Sequence, residues 1–364
     1  MAGPDFRKMP RIDFDPGKTV LHSGRVFRVN NVGMIGDDRT IEKPKGTIRI
    51  LALRGSTSFG PWDDPWPVQL QRALDRLGKG SRFQVINGAF IGHNSFNLRD
   101  LFFKYRWLDL KPDLILIYSG FNDFSALQAD IVSIQPYRPY RLRRILVQLS
   151  NFLANHSLAY ASLREQAFRL IFSSIAKGYR ALGRRDKDAE LTAEELKEKL
   201  RWERGERKKV AEVFYNPEKF FGSRVYQEWR GRFKKNLGEI LGKAKEKGIP
   251  TILMKQAFRR QSDKPEDDFW KRYYPDAIFT ALDELAAQFG TFTIDIHALF
   301  STQPELRTLF EYDEIHLSPK GTAIIADRII RAFKEFGLFQ KMLLRSRTNR
   351  GGRLIGGETM LISG

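Results

Sequence analysis

Ile48-Arg-Ile-Leu-Ala-Leu53 runs directly into Arg54-Gly-Ser-Thr-Ser-Phe-Gly60. The first half is a short β-branched and apolar run, as expected for a strand buried on both faces, and the second half is a turn. A helical pattern from Trp66 to Leu77 follows. Further strand candidates are Phe83 to Ile86, Leu114 to Tyr118, Thr251 to Met254 and Phe292 to Ile294, and helical patterns separate most of them. This alternation implies right-handed βαβ crossovers and a parallel sheet covered on both sides. The last helix is signalled by Ser318 as N-cap and Pro319 at the first helical position, and it runs to about Phe336, where Gly337 marks the stop.

Around this core the chain divides by composition. Residues 1–46 are rich in Pro, Gly, Asp and Arg and read as an irregular N-terminal arm; residues 47–340 form the main domain; residues 341–364 are a basic, Gly-rich tail. Between the third and fourth strands lies a detour at about residues 124–222, a helical basic insertion. Arg141 to Leu182 holds one Gly and no Pro, with Ile145, Leu149, Phe152, Leu163, Ala167 and Leu170 at helical spacing. Ser157 is a candidate cap for a second helix, and Thr192-Ala-Glu-Glu195 reads as a capping box opening a charged helix through about Val213.

The chain has 364 residues, 62 Lys+Arg against 43 Asp+Glu, a net charge of +19, 42% hydrophobic residues and no Cys. Without Cys there is no disulfide framework, thiolate metal site, iron–sulfur cluster or cysteine nucleophile, so covalent chemistry must run through oxygen or nitrogen. The charge suggests an anionic partner or acidic substrates and does not bear on the fold. The N-terminus lacks the apolar core of a secretory signal, and no stretch of about 18 apolar residues exists to span a bilayer. The expectation is a soluble, cytoplasmic protein unless a leader has been removed.

Four short segments sit where a parallel α/β sheet places its chemistry, on loops leaving the carboxyl ends of strands or before the last helix. Gly55-Ser56 follows the first strand; a serine there presents both its hydroxyl and its backbone N–H to one spot, although Gly-Ser turns are common. Asn87-Gly-Ala-Phe-Ile-Gly92-His-Asn-Ser95 follows the second; Gly92 either admits a substrate oxygen close to the backbone or simply serves a positive φ, and His93 is either loop surface or a substrate contact. Ser119-Gly-Phe-Asn122-Asp123 follows the third; the Asn122 amide either donates to a developing oxyanion, worth roughly a hundredfold to a thousandfold in rate, or closes an Asx turn. In Asp313-Glu-Ile-His316, three-residue spacing on a turn lets a carboxylate hold one imidazole nitrogen while the other serves as general base toward a serine, against the commoner structural histidine. The competing pair Asp295 and His297 alternates in a strand register.

Taken in order, these blocks resemble those of the SGNH, or GDSL-type, hydrolase family, and the resemblance covers Ile48 to Asp123 and roughly Lys235 to Phe336. It implies a flavodoxin-like α/β/α sandwich with a parallel sheet of about five strands in order 2-1-3-4-5, which sets the first and third strands side by side. It also implies a serine hydrolase or acyltransferase working on an O-acyl ester of a carbohydrate, lipid or small molecule. Ser56 is then the nucleophile, His316 the base, Asp313 its orienting carboxylate, and Ser56 N–H, Gly92 N–H and the Asn122 side chain the oxyanion hole. No metal or organic cofactor is implied.

One departure stands beside the nucleophile. A bacterial branch of the family reads Gly-Gly-Ser-Thr-Thr-Phe-Gly where this chain has Arg54-Gly55-Ser56-Thr57-Ser58-Phe59-Gly60, and Asn30-Asn-Val-Gly33 and Trp66-Pro67 match that branch as well. Arg54 therefore binds an acidic substrate group or strengthens the field at the oxyanion, points away to a surface carboxylate, or blocks the crevice. Residues 138–185 carry ten basic residues and one acidic, which fits either a basic helix lying on an anionic membrane surface or a solvated helix face. The segment has no recognisable nucleic-acid module, so nucleic acid is disfavoured as a partner. The alternative to catalysis is an impaired protein of the same fold that holds an anionic membrane or polyanion through this insertion.

Overall fold

The computed structural model describes residues 16–22, 25–34, 38–56, 64–77, 82–89, 92–125, 127, 216–259, 273–311 and 315–348. The helices expected between Arg141 and Val213 and the basic stretch 138–185 lie outside the described residues. Two compact units are present. One comprises Thr40–Phe121, Asn236–Gln261 and Thr280–Gly364, and the other Met1–Arg39, Asn122–Lys235 and Ser262–Phe279.

The first unit holds a five-stranded parallel sheet built from β3 (Thr47–Arg54), β4 (Arg82–Ala89), β5 (Leu114–Tyr118), β6 (Thr251–Lys255) and β7 (Phe292–Asp295), in the order β4-β3-β5-β6-β7. Counted from β3, this is 2-1-3-4-5, the flavodoxin-like order. Ile48, Ile50 and Ala52 face a core shared with Trp66 and Leu70 of α1 (Trp66–Leu77) and with Ile325 and Ile329 of the late helix Pro319–Glu335. Leu51 and Leu53, of opposite parity, are buried too, so both faces of the strand are covered, as its continuous apolar run requires. On the second face lie α2 (Ser95–Lys104), the Asn236–Glu246 part of the long helix, and the helix Thr280–Phe289, whose Phe289 meets Gly238 and Gly242. The α2 residue Arg99 bonds Glu239 of the long helix, and Ser95 accepts from Asn236 at 3.1 Å.

At the amino end of the sheet, two charges are taken out of water. Asp113, buried just before β5, accepts from Lys43 Nζ at 2.7 Å and from the backbone N–H of Arg49 at 2.7 Å, while its own N–H donates to the Arg49 carbonyl at 2.7 Å. Arg49 is fully buried within β3, and its guanidinium reaches Gln84 Oε1 at 2.7 Å and the carbonyls of Thr40 and Ile41 at 3.1 Å each. The side chains of Asp113 and Arg49 thus fix β3, β4 and β5 in register.

In the second unit, β1 (Thr19–His22) and β2 (Arg25–Arg28) form an antiparallel hairpin within the segment expected to be irregular. A pair of four-residue strands is too short to announce itself by periodicity. Beyond it, Asn30 Oδ1 accepts from Val32 N–H at 3.1 Å and Met34 N–H at 2.9 Å, an Asx turn that carries Gly33 at φ 72°. The helix α3 (Pro217–Gly222) is capped by Asn216, and α4 (Arg224–Glu246) follows it, its residues up to Lys235 belonging to this unit and the rest to the first. An aromatic core joins Phe220 to Tyr273 (centroids 4.4 Å apart) and Trp229 to Phe233 (5.5 Å), and Trp229 Nε1 donates to the Asp123 carbonyl at 2.8 Å.

The chain closes with α5 (Thr280–Phe289), α6 (Ile296–Ser301), α7 (Pro319–Glu335) and α8 (Leu338–Thr348). Ser318 caps α7, Pro319 opens it, and Gly337 at φ 63° ends it, as expected from the sequence. The tail expected from residue 341 instead begins inside α8, whose Met342 is buried against the sheet core. Among the described residues, no helix is long and apolar enough to cross a membrane. Replacing Asp113 with Ala leaves the half-enclosed Lys43 ammonium and the Arg49 N–H without their acceptor, and should lower unfolding free energy by roughly 3 kcal/mol in urea titrations.

Candidate active site

The parallel register brings the carboxyl ends of β3, β4 and β5 level, with Arg54 opposite Ala89 on one side and Tyr118 on the other. Loops leaving these ends therefore share one edge of the sheet. Gly55 is buried directly after β3, and Ser56 is half-buried beside it. The Ser56 Oγ lies 3.3 Å from His316 Nε2, across 260 positions of sequence.

His316 is held by its neighbours on the chain. Phe310 and Leu317 form an antiparallel bridge, Glu311 N–H donates to the His316 carbonyl at 2.9 Å, and Ser318 N–H donates to the Leu309 carbonyl at 2.9 Å. The Ser318 hydroxyl donates to the Thr308 carbonyl at 2.6 Å and accepts from Gly321 N–H at 3.2 Å, so one side chain both caps α7 and closes the histidine loop. A Cβ on Gly321 would collide with the Leu309 carbonyl oxygen, which is why the first turn of α7 carries glycine there. Asp313, expected to orient the imidazole, lies outside the described residues.

Gly92 stands at φ 69°, and a Cβ built on it meets nothing within 4 Å; its glycine serves the backbone conformation and not a close approach among the described atoms. His93, expected either on a loop surface or as a substrate contact, is buried and so is not loop surface. It immediately precedes the capping box of α2, in which Asn94 Oδ1 accepts from Asn97 N–H at 3.1 Å and Asn97 Oδ1 accepts from Asn94 N–H at 3.3 Å, and this turn draws the ring inward. Arg54 ends β3; its side chain is outside what the structure describes. Asn122 is half-buried in a short helical stretch and belongs to the other compact unit. Just before it, Phe121 N–H donates to Gln256 Oε1 at 3.3 Å and Ala257 N–H donates to Tyr118 Oη at 3.1 Å.

The pair Asp295 and His297 is not in a strand register. The strand β7 stops at Asp295, whose carboxylate accepts from Ala298 N–H at 2.7 Å and caps α6, while His297 stands inside α6 with its ring stacked 4.6 Å from Phe258. An Asp two residues before His in a strand pattern is also an N-cap pattern, and the cap wins here. Two further residues escaped the sequence reading. Gln69 Nε2 donates to Thr322 Oγ1 at 2.9 Å and to the Pro319 carbonyl at 3.1 Å, and neither residue belongs to a motif that would single it out. Among the described residues, no group of three or more His, Asp or Glu is arranged to hold a metal ion.

Several solved structures are similar to this chain at low sequence identity. A lipase/acylhydrolase from Enterococcus faecalis is 14% identical, with a TM-score of 0.42 over 79% of this chain and 96% of its own. A GDSL-like lipase from Parabacteroides merdae is 13% identical, with a TM-score of 0.46 over 81% of this chain and 98% of its own. The esterase EstA from Pseudoalteromonas sp. is 12% identical, with a TM-score of 0.42 over 79% of this chain and 97% of its own. No protein of curated function matches the chain in sequence. The sequence model of the GDSL-like Lipase/Acylhydrolase family, in contrast, matches residues 54–324, from the end of β3 into α7. With that match spanning most of its length, the chain belongs to the GDSL-like lipase/acylhydrolase family and is an ester hydrolase.

Proposed function

We propose that Ser56 is the nucleophile of this ester hydrolase, that His316 is its general base, and that Asp313 orients the imidazole. The observation that carries this reading is the 3.3 Å between Ser56 Oγ and His316 Nε2, a separation from which proton transfer is direct. In the competent tautomer the Ser56 hydroxyl donates to Nε2 and Nδ1–H donates to the Asp313 carboxylate. As Oγ bonds to the ester carbonyl carbon, its proton passes to Nε2 and the carbonyl oxygen becomes an oxyanion. The N–H groups of Ser56 and Gly92 and the Asn122 amide are the proposed donors to that oxygen. Collapse breaks the bond to the alcohol, which leaves with the proton from Nε2. The acyl group, now on Ser56, is released when water, or the hydroxyl of an acceptor such as a sugar, attacks and gives its proton to Nε2; that proton returns to Ser56.

Purified protein should hydrolyse short p-nitrophenyl esters. Ser56→Ala and His316→Ala should each lower kcat by on the order of 10⁴-fold or more, and the double variant should be no worse than either alone, because groups that act as one unit do not add. Full activity in Ser56→Ala removes the serine from the mechanism. An acyl-chain panel run on wild type and Ser56→Ala together then defines the acyl group.

We assign Arg54 a substrate contact for acidic esters, since its backbone ends β3 two residues before Ser56. Arg54→Gly should lower kcat/KM for an anionic ester while leaving a neutral one unchanged. A rise for both would mark a side chain that blocks the crevice, and no change would mark one that points away. Residues 138–185, with ten basic residues and one acidic, are proposed to contact anionic membrane surfaces. Co-sedimentation with phosphatidylserine vesicles that weakens as salt rises is the expected result, and salt-independent or absent binding rejects the contact.

A further inference from the structure

The helices that follow Ser56 and His316 are joined by hydrogen bonds that the reaction does not use. The helix α1 begins ten residues after Ser56, and α7 begins three residues after His316. Gln69, on the first turn of α1, donates through Nε2 to the Pro319 carbonyl at 3.1 Å and to Thr322 Oγ1 at 2.9 Å, both on the first turn of α7. Thr322 is fully buried, and its hydroxyl lies 3.2 Å from the Asp64 carbonyl, on the segment leading from Ser56 into α1, and 2.9 Å from the Pro319 carbonyl. A carboxamide has two N–H donors and a hydroxyl one, so these bonds use the donor capacity of both groups. Two pieces are thereby tied together: the first turn of α1, whose Trp66 packs with Leu70 against Ile48, Ile50 and Ala52 of the strand that leads to Ser56, and the turn that Ser318 closes behind His316.

We propose that Gln69 and Thr322 are positioning residues that hold His316 Nε2 at transfer distance from Ser56 Oγ, an inference that rests on the serine–histidine reading above. Neither touches substrate. Their effect comes through the angle and spacing of two helix starts, and a displacement on the order of 1 Å between reacting groups costs about a hundredfold in rate. The burial of Thr322 makes its end of the link stiff, because a bond broken there leaves a polar group without water to replace its partner.

The test compares isosteric variants with conservative ones. Thr322→Val keeps the shape of the side chain and removes the hydroxyl; Thr322→Ser keeps the hydroxyl; Gln69→Met, at a half-buried position, keeps length and removes both donors. With a p-nitrophenyl ester, Thr322→Val and Gln69→Met should lower kcat by about 10- to 100-fold with KM within about twofold, and the double variant should match the worse single. Thr322→Ser should retain kcat within about threefold. Rates are counted per active serine titrated with a p-nitrophenyl alkylphosphonate, so lost folding does not pass for lost catalysis. Unchanged kcat per titrated site in Thr322→Val and Gln69→Met, with Ser56→Ala inactive, overturns the proposal while the serine reading stands. Activity surviving in Ser56→Ala overturns the serine reading and the positioning role with it.

Discussion

Parallel pairing of β3 between β4 and β5 is the constraint on which the remainder of the molecule depends. Neighbouring parallel strands cannot be joined by a hairpin; each return requires a crossover, and each crossover places a helix on a face of the sheet. Both faces are therefore dry, and every loop after a strand emerges at the same edge. Ser56 emerges there because β3 ends at Arg54, and His316 reaches it because α7 starts beside α1. The meeting of Ser56 and His316 is a consequence of edge geometry before it is a property of individual side chains.

That geometry explains which parts were legible in the sequence. The inner strands β3, β5 and β6, buried on both faces, write themselves as apolar runs, and the outer β4 and β7 show enough apolar residues that all five are legible within a few residues of their ends. The start of α7 was equally plain, since Ser318 and Pro319 are local signals with a local cause: an oxygen for an orphan N–H and a φ already suited to a helix. Ser56 and His316 were visible as members of an ordered set of motifs, and Asp313 and the 138–185 stretch rest on the sequence alone.

What was not legible depends on neighbours distant in the chain. His93 looks like a loop residue until the Asn94–Asn97 box turns it inward. Asp295 and His297 fit a strand and a helix start equally well in one dimension, and only the observed end of β7 separates them. Gln69 and Thr322 are 253 positions apart, each an ordinary polar residue on an amphipathic helix, and nothing local records that they share a proton. A bond of this kind arises between elements and leaves no mark in the sequence of either one alone.

The buried guanidinium of Arg49 has a consequence for how this sheet assembles. A group that never loses its proton cannot escape desolvation by neutralising itself, as a buried lysine does. Its acceptors come from the Thr40–Ile41 segment, from β4 through Gln84 and from the loop before β5 through Leu110. Until all of these have arrived, closing the sheet over Arg49 would strand a charge away from water. Partly built versions of the amino end are thereby penalised, and the strand, its two partners and the preceding segment are expected to form or dissolve as one cooperative unit.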